Sequence, residues 1–243
     1  MGGIAEKMLI DAMDALANTD ITLAHQVVAT DHRLDALQHE IEEKAILTIA
    51  RRQPMAVDLR EIIGAIRVAG DLERVGDLAK NIAKRSVKIE LEARVPRAII
   101  GLKHMNDFAT ELMKDVLDAY AQRDIERAHA VWERDVELDA LEDSVFRDLL
   151  THMMADARHI SLCAHLLFCS KNIERIGDHA TNIAETVFYL VTGSTVPGER
   201  PKGRQEYDVE AIGGATPSMR FGETLAAVPN PRPQPRIARR SEY

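Results

Sequence analysis

Glu73 and Asp77, one helical turn apart, return as Glu174 and Asp178. Each pair belongs to a twelve-residue stretch, LERVGDLAKNIA at 72–83 and IERIGDHATNIA at 173–184, that recurs at a spacing of 101 residues with eight positions identical. A second acidic pair is copied as well, Asp31 and Asp35 returning as Asp135 and Asp139. Like charges four apart weaken a helix by about 0.2–0.5 kcal/mol when nothing neutralises them. Pairs kept at four duplicated places therefore point to a neutralising partner. Two carboxylates from each of two helices suit a metal that accepts hard oxygen donors, such as Fe, Zn, Mn or Mg, with water completing the shell. The competing reading is that charged outer faces of helices are simply solvated.

Helices must position these groups. The chain is rich in Ala, Leu, Glu and Arg, its apolar residues recur at three and four, and period-two strand alternation is missing. Ile4 to Ala17 reads as one amphipathic segment, and Asp20 as N-cap of a second helix running to about Arg52. Pro54 suits the first turn of a third helix, whose periodicity continues to about Glu92. The second unit repeats the plan over about Arg97–Gln122, Ile125–Met154 and Ser161–Val191. The block Asp31, Leu34, Asp35, Ala36, Leu37 returns as Asp135, Leu138, Asp139, Ala140, Leu141, so a whole folded unit is copied in tandem. The predicted fold is all-α: two up-down-up three-helix bundles, at 1–94 and 95–191, followed by a mostly disordered tail at 192–243.

At about 100° per residue, Asp77 lies about 40° and Asn81 about 80° from Glu73, while Leu72, Val75, Leu78, Ala79 and Ile82 fall on the far side. The second copy has the same phase. The acids are thus expected on outward ridges, with Asn81 and Asn182 as further ligands or as hydrogen-bond donors to a neighbouring helix. Arg74 and Arg175 are placed to support the carboxylates or to engage an outside protein. Gly76 and Gly177 interrupt helix interiors at a cost of about 1 kcal/mol each. Close helix approach is the favoured reason, and room for an ion or water the alternative.

Lined up on Asp31 and Asp135, the first unit's opening helix is about two turns shorter than the second's, which leaves apolar surface uncovered and favours either oligomerisation, in the simplest case a homodimer, or local fraying. The tail holds seven of the nine prolines, eight Lys/Arg and six Asp/Glu, leaving the helical body 23 basic against 33 acidic residues. That balance argues against a nucleic-acid surface and for cations or basic partner surfaces. With no cleavable leader and no apolar run long enough to span a bilayer, the expected location is cytoplasmic. Cys163 and Cys169, the two cysteines, read as buried reduced thiols.

Enzyme chemistry finds little support. Diiron carboxylate bundles place Glu-x-x-His on two helices, and the one match, Glu126-x-x-His129, loses its glutamate in the first unit, where Thr22 precedes His25. His25 and His129 suit packing or hydrogen bonding at a helix start. The sequence has no glycine-rich phosphate loop and no recognisable nucleophile setting. A metal-dependent enzyme and a purely structural helical protein stay as the alternative readings.

The paired E-R-[VI]-G-D-x-A-x-N-I-A segments, the D-x-x-L-D-A-L segments and Gln53-Pro54-Met55-Ala56-x-Asp58-Leu59-Arg60 closely resemble the PhoU family of phosphate-signalling accessory proteins, over about residues 1–192. The resemblance implies tandem three-helix bundles with iron or zinc clusters at the surface in some members and no organic cofactor. The ligands it implies are Glu73, Asp77, Glu174 and Asp178, with Asp31, Asp35, Asp135 and Asp139 on neighbouring helices. It further implies a non-enzymatic negative regulator of the phosphate-starvation response. Such a protein couples a phosphate ABC transporter, through its ATPase, to a sensor histidine kinase, and meets the inner membrane only through those partners.

Overall fold

A computed structural model describes residues 1–89 and 96–197, the side chains of residues 96 and 97 excepted. Among these residues six α-helices follow in order: α1 (Gly2–Asn18), α2 (Ile21–Arg52), α3 (Val57–Ser86), α4 (Pro96–Gln122), α5 (Ile125–Ala155) and α6 (Ile160–Thr192). Among the described residues there is no strand, and a 3-10 turn at Ala157–His159 leads into α6. The expected disordered tail lies outside the described residues beyond position 197, as does the expected end of the third helix near Glu92; α3 itself ends at Ser86.

The turn between the first two helices repeats in both units. Thr19 and Arg123 both take the left-handed conformation at φ 57°, and the next residue caps the following helix. Asp20 accepts the Leu23 N–H at 2.9 Å and Asp124 the Arg127 N–H at 3.0 Å. Each carboxylate thereby satisfies an orphan donor at the positive end of a helix.

Pro54 does not open α3. Gln53 ends α2 with a left-handed residue at φ 47°, and Ala56 takes φ 48° before α3 starts at Val57. Two positive-φ residues three apart make the connection a sharp reversal in which Pro54 and Met55 are linker, not helix.

Within each repeat the second and third helices run side by side, α2 on α3 and α5 on α6. The repeats are then joined by α3 on α6 and α1 on α4, so that one continuous core contains Leu9, Met13, Leu34, Ile82, Leu102, Met113, Leu138 and Leu166. Each such side chain contributes about 1.5–3 kcal/mol on burial. At 17 residues against 27, α1 is much shorter than its counterpart α4. Ile46 and Leu47 near the end of α2 and Val57 at the start of α3 are exposed. Cys163 and Cys169 are buried and unbridged, as expected. Among the described residues no helix is long and apolar enough to cross a membrane.

Candidate metal centre

The candidate carboxylates lie at two helix seams, α2 against α3 and α5 against α6. Gly76 and Gly177 set the closeness of each seam. A methyl group on Gly76 would collide with Leu34 Cδ1, and one on Gly177 with Leu138 Cδ2 and would stand 3.1 Å from Asp135 Oδ1. Glycine here lets a neighbouring helix and its aspartate approach the α3 and α6 backbones, which is the favoured of the two sequence readings.

That approach corrects the outward ridges. Asp31 and Asp135 are only 2% and 3% exposed, tucked into the seams beside Leu34 and Leu138. Glu73 and Glu174 are largely covered as well, while Asp77 and Asp178 are partly covered and Asp35 stays near the surface. A single-helix projection puts Asp31 and Asp135 at the border of the apolar stripe, and the partner helix decides which side of the border is covered.

In the first seam, the Lys80 ammonium donates to Asp31 Oδ2 at 2.5 Å and to Asp77 Oδ1, bridging α2 and α3. Arg74 pairs with Glu73 at 3.3 Å and Asp77 at 3.4 Å, the first of the two roles its position allows. Asp31 Oδ1 is buried with no protein partner. His32 extends the group outward: one donor atom each from Asp31, His32 and Asp35 lie within 4.8 Å of one another. The repeat pattern passes over His32 because Val136 stands at its place in the second copy.

In the second seam, Lys171 reaches Glu174 Oε1 at 2.8 Å along α6, and Glu174 Oε2 is buried without a protein partner. Glu142 of α5 is half-buried and also faces Lys171, Asp139 and Asp143. Burial pushes Glu73 and Glu174 above the ordinary glutamate range, and the neighbouring Asp77 and Asp178 push the same way. Thr181 holds the position that Lys80 holds in the first seam, and its hydroxyl bonds back to the Gly177 carbonyl at 2.9 Å.

Asn182, exposed like Asn81, donates to Asp71 of α3 at 3.3 Å, the neighbouring-helix role. Arg175 is exposed, open to an outside partner. His129 is half-exposed against the Trp132 ring, with centroids 5.7 Å apart, and His25 is exposed.

Known proteins share this fold. The PhoU domain model matches residues 1–86 and 102–187, one copy for each repeat. The chain belongs to the PhoU family. The phosphate-specific transport system accessory protein PhoU homolog of Rhizobium meliloti is 56% identical over 203 residues, covering 83% of this chain and 85% of that protein. The Caulobacter vibrioides homolog is 50% identical over 202 residues, covering 83% and 88%. Among solved structures, PhoU from Pseudomonas aeruginosa superposes with a TM-score of 0.77 at 39% identity, over 80% of this chain and 93% of that one. The phosphate transport system regulatory protein PhoU from Streptococcus pneumoniae gives 0.74 at 26% identity, over 80% and 91%. Both seams lie within the residues matched by the PhoU domain, and the two copies differ there at Lys80 and Thr181.

Proposed function

We propose that the chain is a non-enzymatic, cytoplasmic negative regulator of the phosphate-starvation response, an adaptor between the ATPase of a phosphate ABC transporter and a sensor histidine kinase. The observation that carries this reading is its likeness, over 83% of its length, to proteins named for phosphate-specific transport. Docking on the kinase biases it toward its inactive state, because a partner that prefers one of two conformations shifts their populations. The acidic body suits basic partner surfaces, and the exposed Ile46 and Leu47 suit self-association.

Metal binding belongs to the same proposal. The donors fit: each seam gathers carboxylates from two helices, and each holds a buried carboxylate oxygen with no protein partner, Asp31 Oδ1 and Glu174 Oε2. Asp135, Asp139, Glu174 and Asp178 would hold a cation in the second seam, and Asp31, Asp35, Glu73 and Asp77 offer the same donor types in the first, around the Lys80 ammonium. Iron or zinc heads the candidates, with Mn and Mg behind. A bound cation would neutralise the packed carboxylates and tie two helices together.

A phosphate-starvation reporter in a strain deleted for the regulator tests the role. The wild-type chain is expected to silence the reporter at high phosphate. A reporter that stays on despite normal protein levels would contradict the proposal, and turnover of phosphate esters that requires the seam carboxylates would favour an enzyme instead.

A further inference from the structure

The twelve-residue repeat keeps its acids but not the residue just before the asparagine: Lys80 in the first copy is Thr181 in the second. Lys80 carries its positive charge into the place where a shared cation would sit. Its ammonium donates to Asp31 Oδ2 on α2 at 2.5 Å and to Asp77 Oδ1 on α3, and its side chain is 19% exposed. A metal held by those same oxygens would stand about 2.0–2.2 Å from each. That position lies within the volume of the ammonium group, so ion and ammonium exclude one another.

We infer that Lys80 is the resident counter-ion of the first seam and keeps it free of metal, so that cation binding falls to the second seam. This inference rests on the metal reading given above. With neither ammonium nor ion in place, the buried Asp31 carboxylate would stand unpaired, so the lysine is held in the seam of the metal-free protein. Asp31 Oδ1, left over by the lysine, lies 3.5 Å from where a methyl group on Gly76 would stand. It faces the helix crossing.

The second seam has a lysine too, but a different one. Lys171 stands where the first copy has Gly70, is 47% exposed, and bonds Glu174 Oε1 from the same helix. It leaves Glu174 Oε2 buried and without a protein partner. A side chain at the rim that holds one oxygen can give way to an ion more readily than one bridging two helices.

Metal content per chain, measured by elemental analysis after loading with Zn(II) or Fe(II) and gel filtration, tests the inference on the full chain. The wild type is expected to retain metal that is lost on Glu174→Ala/Asp178→Ala and kept on Glu73→Ala/Asp77→Ala. Lys80→Thr is expected to add a second site of about equal content, removed by Glu73→Ala/Asp77→Ala, and Thr181→Lys to reduce the content. Thermal melts of the same proteins give an independent readout, with metal raising the midpoint of Lys80→Thr by more than that of the wild type. Metal in both seams of the wild type, or unchanged content in a folded Lys80→Thr, would overturn this inference alone. Absence of metal from every variant would overturn the metal reading and this inference with it.

Discussion

Asp71 of α3 accepts a hydrogen bond from His179 of α6 at 2.9 Å, tying the two repeats together across their shared core. His179 occupies the position that Leu78 fills in the first copy, so the duplication broke its own symmetry to make the pair. The pair is mostly covered, at 16% and 17% exposure, which limits screening by solvent.

A double-mutant cycle measures this tie. Hydrogen bonds to a charged group contribute about 1.5–3 kcal/mol, so Asp71→Ala is expected to lower unfolding stability by about 1–2 kcal/mol. After His179→Leu, the same Asp71 substitution should cost much less. Additive losses in denaturant titrations would show that the two residues do not act through each other.

Two glycines on one helix should respond oppositely to alanine. Nothing lies within 4 Å of a methyl group added at Gly70, whereas at Gly76 it would strike the buried Leu34. Gly70→Ala is expected to stabilise by about 0.5–1 kcal/mol through helix propensity. Gly76→Ala sets the same gain against about 1–3 kcal/mol of overpacking and should come out destabilising. Equal stabilisation by both would remove close approach as the reason for Gly76.

Glu174 gives the metal-free protein a pH signature. Its folded-state pKa is raised, chiefly by burial and further by Asp178 and Asp139, with Lys171 opposing. The folded state then binds this proton more tightly than the unfolded chain does, so the contribution is present at low pH and lost as pH rises through the raised value. Glu174→Gln should therefore raise the melting midpoint of the metal-free protein at pH 7, by about 2–4 °C for each kcal/mol of relief. The advantage should shrink as pH falls toward the ordinary glutamate range. A pH-independent advantage would contradict this assignment.

Burial governs the thiols as well. Cys163 is pushed up, and Cys169 is pushed up to about 12. A thiol reagent at pH 8 is expected to leave both untouched in the folded protein and to label two per chain in denaturant, since only the thiolate attacks. Rapid labelling of the native state would mean that α6 opens locally.

Legibility in the sequence differs with the kind of interaction. Helix limits and the Asp20 and Asp124 caps depend on residues a few positions apart, and at most ends the pattern places them within a residue or two. The linker at Pro54 escapes the pattern because the positive φ of Gln53 and Ala56 carries no sequence mark as clear as glycine. The burial of Asp31 and Asp135 depends on which helix lies across from them, which a projection of one helix does not contain. Lys80 is visible as a difference inside the repeat, three residues after Asp77, but its significance needs Asp31 from another helix.

The most direct test of the adaptor claim is capture of purified partners by the immobilised chain. The cytoplasmic domain of the sensor kinase and the ATPase of the phosphate transporter would each be offered, alone and together. The account predicts that both are retained. Retention of neither, by a chain shown to be folded, would contradict it.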